Sequence, residues 1–271
     1  MTYAPIVPTG GYAGWTFLKR TITKQTDTFV KSPEIARDED YFRANIGKIK
    51  TAEDLVKDRR LLKIALGAFG LDSDLNNKAF IRRVLSDDTT RATALANKLA
   101  DKQYLKLATA FGFDTAKPNT TIPGFAATII TSYTARSFEA AVGNQDGDLR
   151  LALNAERELG TLSAKTGSET TKWYSILGNT ALREVFTKGL GLPVRIASAD
   201  LDVQLQKFQD KAEAIFGDST VSQFTDPTKV EGLIRRFLVR SQADALASSV
   251  GSGAAALAMM QQIAAQMRSK K

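Results

Sequence analysis

Apolar residues recur along most of the chain at the spacing of helices that each bury one face, and the seven prolines fall between such stretches. Leu201, Leu205, Phe208, Ala212 and Ile215, spaced 4, 3, 4 and 3, predict a helix with a single narrow inward stripe. Thr51 with Asp54 three positions on has the form of a capping box. It opens a stretch carrying Leu55, Leu62, Leu66 and Phe69, which Gly70 ends. Phe80, Ile81, Val84 and Leu85 form the next face, and Asp101 can cap a helix carrying Tyr104, Leu105, Ala108 and Phe111. A helix from about 125 to 142 absorbs the β-branched run Thr128–Thr131, which has no hairpin signal beside it. Asp148 reads as the N-cap of the helix that follows, to about residue 167, and Thr180 as the cap of one presenting Leu182, Val185, Phe186 and Leu190. Asp226-Pro227 is a strong helix start, followed by the face Val230, Leu233, Ile234, Phe237 and Leu238. The expected fold class is all-α.

Two stretches echo each other. Phe80-Ile81-Arg82-Arg83-Val84-Leu85 returns as Leu233-Ile234-Arg235-Arg236-Phe237-Leu238. Leu61, Ile64, Ala65, Phe69, Gly70 and Leu71 likewise match Leu182, Val185, Phe186, Leu190, Gly191 and Leu192. The expected architecture is a multi-helix protein of two pseudo-repeated helical halves, packed as one body or two subdomains. Residues 1–30 lack a steady period and read as an N-terminal arm. Residues 31–113 form the first half, the Pro- and Thr-rich stretch 114–124 the linker, and 125–240 the second half. Residues 241–271 turn to alanine, serine and glycine and read as an Ala-rich helical tail, interrupted at Gly251-Ser252-Gly253.

Composition narrows the chemistry. The 271 residues include no histidine and no cysteine. That removes Ser-His-Asp and Cys-His triads, thiolate nucleophiles and the usual zinc, copper and haem ligands. We therefore expect no enzyme, no cofactor and no metal. Asp72-Ser73-Asp74-Leu75-Asn76-Asn77 begins like a calcium loop, but Asn77 stands where glycine belongs and Arg83 where the bidentate glutamate belongs. Glu156 and Glu158 point to different helix faces and do not make a carboxylate pair. Net charge is +8 and the isoelectric point near 9.6, which attracts polyanions in general. No apolar run approaches the ~20 residues of a membrane span, and no cleavable signal peptide is expected.

The candidate partner-binding residues fall in three groups. Tyr12, Trp15 and Phe17 belong to the arm, whose aromatics either dock on the body or order on a partner. Arg82, Arg83, Arg235 and Arg236 recur inside the echoed hexamers, where bridging to a neighbouring helix competes with binding. Leu257 and Met260 lie on one face of the tail, which either frays or packs on a partner.

Several stretches together resemble a known family. They are Tyr41-Phe42-Arg43-Ala44-Asn45-Ile46, the run from Leu61 to Leu71, the run from Asn76 to Leu85, Trp173 to Pro193, and Phe224-Thr225-Asp226-Pro227 through Leu238. Over about 40–240 the chain is similar to an alphaproteobacterial domain of unknown function, often encoded in flagellar gene clusters. The resemblance brings no catalytic residue with it. It implies a non-enzymatic flagellum-associated structural or assembly protein, with export through the flagellar apparatus left open and flagellar components as protein partners. The localisation it implies is cytoplasmic or exported to the flagellum. The alternative is a basic helical module that binds nucleic acid or an acidic protein.

Overall fold

The computed structural model describes residues 3–268, with side chains through Ser248. The described residues hold thirteen α-helices and no strand. In chain order they are α1 Gly11–Val30, α2 Pro33–Asn45, α3 Ala52–Lys57, α4 Arg59–Phe69, α5 Lys78–Ser86, α6 Leu95–Lys98, α7 Gln103–Phe111, α8 Phe125–Gly143, α9 Gly147–Ala164, α10 Glu169–Leu177, α11 Thr180–Leu190, α12 Leu201–Phe216 and α13 Pro227–Arg268. Two compact units result. One holds the residues up to Pro8 and Thr16–Arg150; the other holds Thr9–Trp15 and the chain from Leu151 on.

In the first unit α4 is the central helix. Leu61, Leu62, Ile64, Ala65, Leu66, Gly67 and Ala68 are all buried, so the helix is covered nearly all round. The capping box at Thr51 forms as expected, and Asp58 caps α4 by accepting from the amides of Arg60 and Leu61, both at 3.0 Å. Gly70 ends α4 at φ +73°, and the Leu71 amide donates back to Leu66 at 3.0 Å. α4 packs mainly against α8. A Cβ on Gly67 would lie 2.9 Å from the Tyr133 ring, so glycine there sets the closeness of that packing. α5, α6 and α7 enclose a thin core of Val84, Ala96 and Ala108, with Phe80, Leu95, Leu99, Tyr104 and Leu105 only half covered around it.

In the second unit α11 packs mainly against α13. A Cβ on Gly189 would meet Leu233 Cδ1 at 2.6 Å and the Leu233 carbonyl oxygen at 3.2 Å, so these two backbones approach closely. Edge-on aromatic contacts link Trp173 with Phe186 (5.6 Å) and Phe208 (6.3 Å), and Phe224 with Phe186 (5.3 Å) and Phe216 (5.4 Å). The Trp173 indole N–H donates to the Ser219 carbonyl at 2.9 Å. α11 starts on Asn179 and ends on Gly191 at φ +70°.

Several expectations need correction. Residues 1–30 are not an arm, because 11–30 are helical. Trp15, Leu18, Gln25 and Phe29 face inward at helical spacing. Gln25 hides that period in the sequence: it is polar at a core position because its amide binds Ile6 twice, accepting from N–H at 2.6 Å and donating to C=O at 3.1 Å. The stretch 114–124 lies inside the first unit, and Thr120, buried, fastens it by donating to the Ile49 carbonyl at 2.7 Å. The units divide instead between Arg150 and Leu151, within α9. Asp146, not Asp148, receives the Leu149 amide (3.0 Å), and Asn179, not Thr180, receives that of Leu182 (3.0 Å). Of the α12 stripe, Phe208 and Ala212 are buried, whereas Leu201, in an uncovered first turn, is 52% exposed. α13 continues through Gly251-Ser252-Gly253 without a break.

The echoed hexamers do not occupy equivalent places. α5 packs on α3 and α7, whereas α13 packs on α11. Apolar residues at i, i+1, i+4 and i+5 around two outward arginines describe any half-buried basic helix and carry no information about its neighbour. The face that does match α13 in kind is on α8, where Ile129, Ile130, Tyr133 and Thr134 are buried at the same spacing as Leu233, Ile234, Phe237 and Leu238.

Candidate functional site

The aromatic residues of the N-terminal segment are held by α13. Glu231 accepts from the Trp15 indole N–H with both oxygens, at 3.1 and 2.9 Å, and from the Tyr12 hydroxyl at 3.0 Å. The Arg235 guanidinium lies over the Tyr12 ring at 5.4 Å. Burial, and then the Glu231 acceptor, push the Tyr12 hydroxyl above its usual range. Trp15 is fully buried, and the end of the Gln242 side chain lies where a Cβ on Gly11 would stand, at a φ of +64° that favours glycine. Tyr12 and Trp15 are thus structural fasteners in the second unit. Phe17 is half-buried beneath Arg20, whose guanidinium sits 5.8 Å from its ring.

The arginine doublets separate. Arg82 pairs with Glu53 on α3 at 2.8 Å, which holds the Glu53 carboxyl below its ordinary range. Arg236 donates through Nε to the Gly189 carbonyl at 3.0 Å, near the C-terminal end of α11, where a cation is favoured. Arg83 is exposed on α5. Three of the four arginines, Arg82, Arg235 and Arg236, therefore join helices within their own unit. The side chains of Leu257 and Met260 lie outside the described residues.

Two polar clusters were not legible as sites in the sequence. In the second unit, Lys172 is buried and donates to the Ser163 carbonyl (3.0 Å) and Ser222 Oγ (2.5 Å) while pairing with Glu169 (3.0 Å). Glu169 also accepts the amides of Val221 (2.7 Å) and Ser222 (3.1 Å) and the Ser222 hydroxyl. Burial works to raise the Glu169 pKa, but the hydrogen bonds from Ser222, Lys172 and Val221 prevail and lower it. A serine beside a lysine invites comparison with a nucleophile and its base. Here the Glu169 carboxylate accepts from both the Lys172 side chain and the Ser222 hydroxyl, so the trio works as a clamp.

In the first unit, Asp38 is buried and accepts from Lys63 at 2.8 Å and from the Tyr133 hydroxyl at 3.0 Å, with Arg60 3.7 Å away. Burial pushes the Tyr133 hydroxyl up to about 12. The cluster joins α2, α4 and α8. In the calcium-like loop, Asp74 accepts from the Tyr104 hydroxyl at 2.5 Å and the Asn77 amide at 2.6 Å. Among the described residues no group of three or more acidic side chains could hold a metal ion, and no helix is long and apolar enough to cross a membrane.

Two of the exposed large apolar side chains lie on α13. On α13, Val239 is 49% and Leu246 67% exposed, one heptad apart on the same face. Every side chain from Gln242 to Ser248 is exposed, so the helix leaves the core of its unit after buried Ser241.

This is an all-α protein of two helical units whose buried polar side chains fasten helix to helix. The family described as "Protein of unknown function (DUF1217)" matches residues 68–230, and the chain belongs to that family. It is also similar to an X-ray crystal structure of an Agrobacterium tumefaciens protein. The TM-score is 0.69 at 28% identity, over 89% of this chain and 98% of the other. No curated protein matches.

Proposed function

We propose that this chain is a non-enzymatic structural or assembly protein of the bacterial flagellum that works through protein contacts. The flagellar element comes from the family resemblance. The observation that supports a contact role is the emergence of α13 from its unit with Val239 and Leu246 uncovered. The fastening of Tyr12 and Trp15 inside the second unit moves the proposed contact away from the N-terminal aromatics and onto this helix. The polar clusters add to the case, since Glu169, Lys172 and Ser222 satisfy one another.

The test is fractionation of a tagged full-length copy in a flagellated host, with and without a working flagellar export apparatus. Export-dependent appearance in the medium or the purified flagellum is expected. Strict cytoplasmic retention in both strains would overturn export. The second reading, a basic module for nucleic acid or an acidic protein, draws on the +8 charge and exposed Arg83. It requires a gel shift at low salt that weakens as salt rises.

A further inference from the structure

α13 has 42 residues, a length of about 63 Å at 1.5 Å per residue. Its first part is held by the α11 contact. Beyond Ser241 it continues as a helix to Arg268, although the described side chains there face solvent. That continuation is poorly suited to stand alone. Gly251 and Gly253 each cost about 1 kcal/mol against alanine in an exposed helix interior. No charged residue occurs from Ala245 to Met267, so no ion pair between successive turns supports it. A helix of this kind needs a surface to cover it.

The sequence pattern specifies the kind of surface. Val239, Ala243 and Leu246, all exposed, begin a 4-3 spacing that the sequence continues at Val250, Gly253, Leu257, Met260, Ala264 and Met267. None of these nine positions is polar. A 4-3 repeat that runs through nine positions, against five in the core-packed stripe of α12, is the register of a left-handed coiled coil.

We propose that this seam of α13 pairs, antiparallel, with the same seam of a second copy of this chain. Two observations favour that occupant. The first is charge: a copy of a +8 chain is met along a tract from 245 to 267 that carries no charge. The flanking positions of that tract also lack the Glu and Lys residues that would select a different helix. The second is the order of residue sizes. Reversal about Ala255 sets register position 243 against 267 (Ala with Met), 246 against 264 (Leu with Ala), 250 against 260 (Val with Met) and 253 against 257 (Gly with Leu). Each layer then combines a smaller residue with a larger one. Parallel pairing would set Gly253 on Gly253 and Ala243 on Ala243, and unfilled layers are costly. Residues 242–268 span about 40 Å, and a strip about 10 Å wide along them gives about 800 Å² over both copies, the size of a weak, transient contact. The dimer is therefore concentration-dependent. This inference stands on the helix alone and is independent of the flagellar assignment.

The test is sedimentation equilibrium of the full-length protein over a wide concentration range, with Leu246→Asp and Leu257→Asp beside the unchanged chain. We expect reversible monomer–dimer behaviour, with a dissociation constant raised about a hundredfold or more in either variant. Because Leu246 is already 67% exposed, Leu246→Asp should keep the melting temperature of the dilute monomer. The chain has no cysteine, so orientation can be read directly. Ala243→Cys and Met267→Cys should form disulfide-linked dimers when mixed and little when alone. Efficient cross-linking of Ala243→Cys with itself would mean parallel strands and overturn the proposal. A monomer at every concentration would also overturn it, whether or not the protein binds lipid vesicles.

Discussion

Removing Glu169 should destabilise the second unit far more than removing Lys172, although the two form one ion pair. Glu169→Ala leaves the Lys172 ammonium, whose side chain is 8% exposed, without its counter-charge. It also strips the Val221 and Ser222 amides of their acceptor. Breaking a buried pair from one side costs about 3–5 kcal/mol. The Glu169 side chain is 32% exposed, so solvent screens part of that. The two amides left without their acceptor add about 1 kcal/mol each to the loss. The expected loss is about 3 kcal/mol. Lys172→Met removes the cation but keeps an apolar chain of similar length. Glu169 still accepts from Val221 N, Ser222 N and the Ser222 hydroxyl, and the loss should be about 1 kcal/mol.

Urea unfolding followed by tryptophan fluorescence suits the comparison, because both tryptophans, Trp15 and Trp173, are buried and belong to this unit. A pH series adds a sign. The folded Glu169 carboxyl lies below its ordinary value of 4.5. Its contribution is therefore complete above the unfolded pKa and is lost as pH falls through the lowered folded one. The gap between the unchanged protein and Glu169→Ala should narrow below about pH 4.5. Equal losses in the two variants, or a loss under about 1 kcal/mol for Glu169→Ala, would refute the clamp.

Other substitutions probe the packing. Gly189→Val should cost about 1–3 kcal/mol in the same urea assay, because its Cβ would collide with fully buried Leu233 and press on that residue's backbone oxygen. Leu233→Asp should unfold the second unit, whereas Phe80→Asp, in the half-covered α5–α7 cluster, should be milder by at least about 1 kcal/mol; circular dichroism melts compare the two. Glu231→Ala should remove the carboxylate that accepts from the Trp15 indole N–H and destabilise by about 1–3 kcal/mol, with a red shift of tryptophan emission before global unfolding if the N-terminal segment lets go first.

Fold class was legible because long helices with one apolar face write their period into the sequence, and the caps at Thr51, Gly70 and Asp226 followed from local chemistry. α1 was not legible, because its buried stripe includes Gln25, whose partner Ile6 is visible only in three dimensions. Its threonines also lower helix propensity, and Thr21 and Thr28 turn their hydroxyls onto the carbonyls of Phe17 and Lys24. The linker reading of 114–124 failed for a related reason. Proline and threonine signal a break in secondary structure, and the Thr120 bond to Ile49 crosses to a distant part of the chain. The hexamer echo misled because amphipathicity repeats whenever two helices are half-buried. In the Glu169–Lys172–Ser222 cluster only the i,i+3 ion pair is local; Ser222 joins it from 50 positions beyond Lys172, so no spacing announces the whole.

Salt separates the readings of this chain by sign. Two copies that meet along an uncharged seam still bring two +8 chains together, so their charges oppose the encounter. The screening length falls from about 10 Å at 0.1 M to about 3 Å at 1 M, which removes that opposition without weakening the apolar contact. Self-association should therefore hold or strengthen as salt rises. Binding to nucleic acid runs the other way, losing about 10³–10⁵ in affinity between 50 and 200 mM salt when 6–10 phosphates are contacted. Sedimentation equilibrium at low and high salt, paired with a gel shift over the same range, reads both slopes. A dimer that dissociates on adding salt would show that opposite charges hold it, and the seam along α13, which has none between 245 and 267, could not then be its interface.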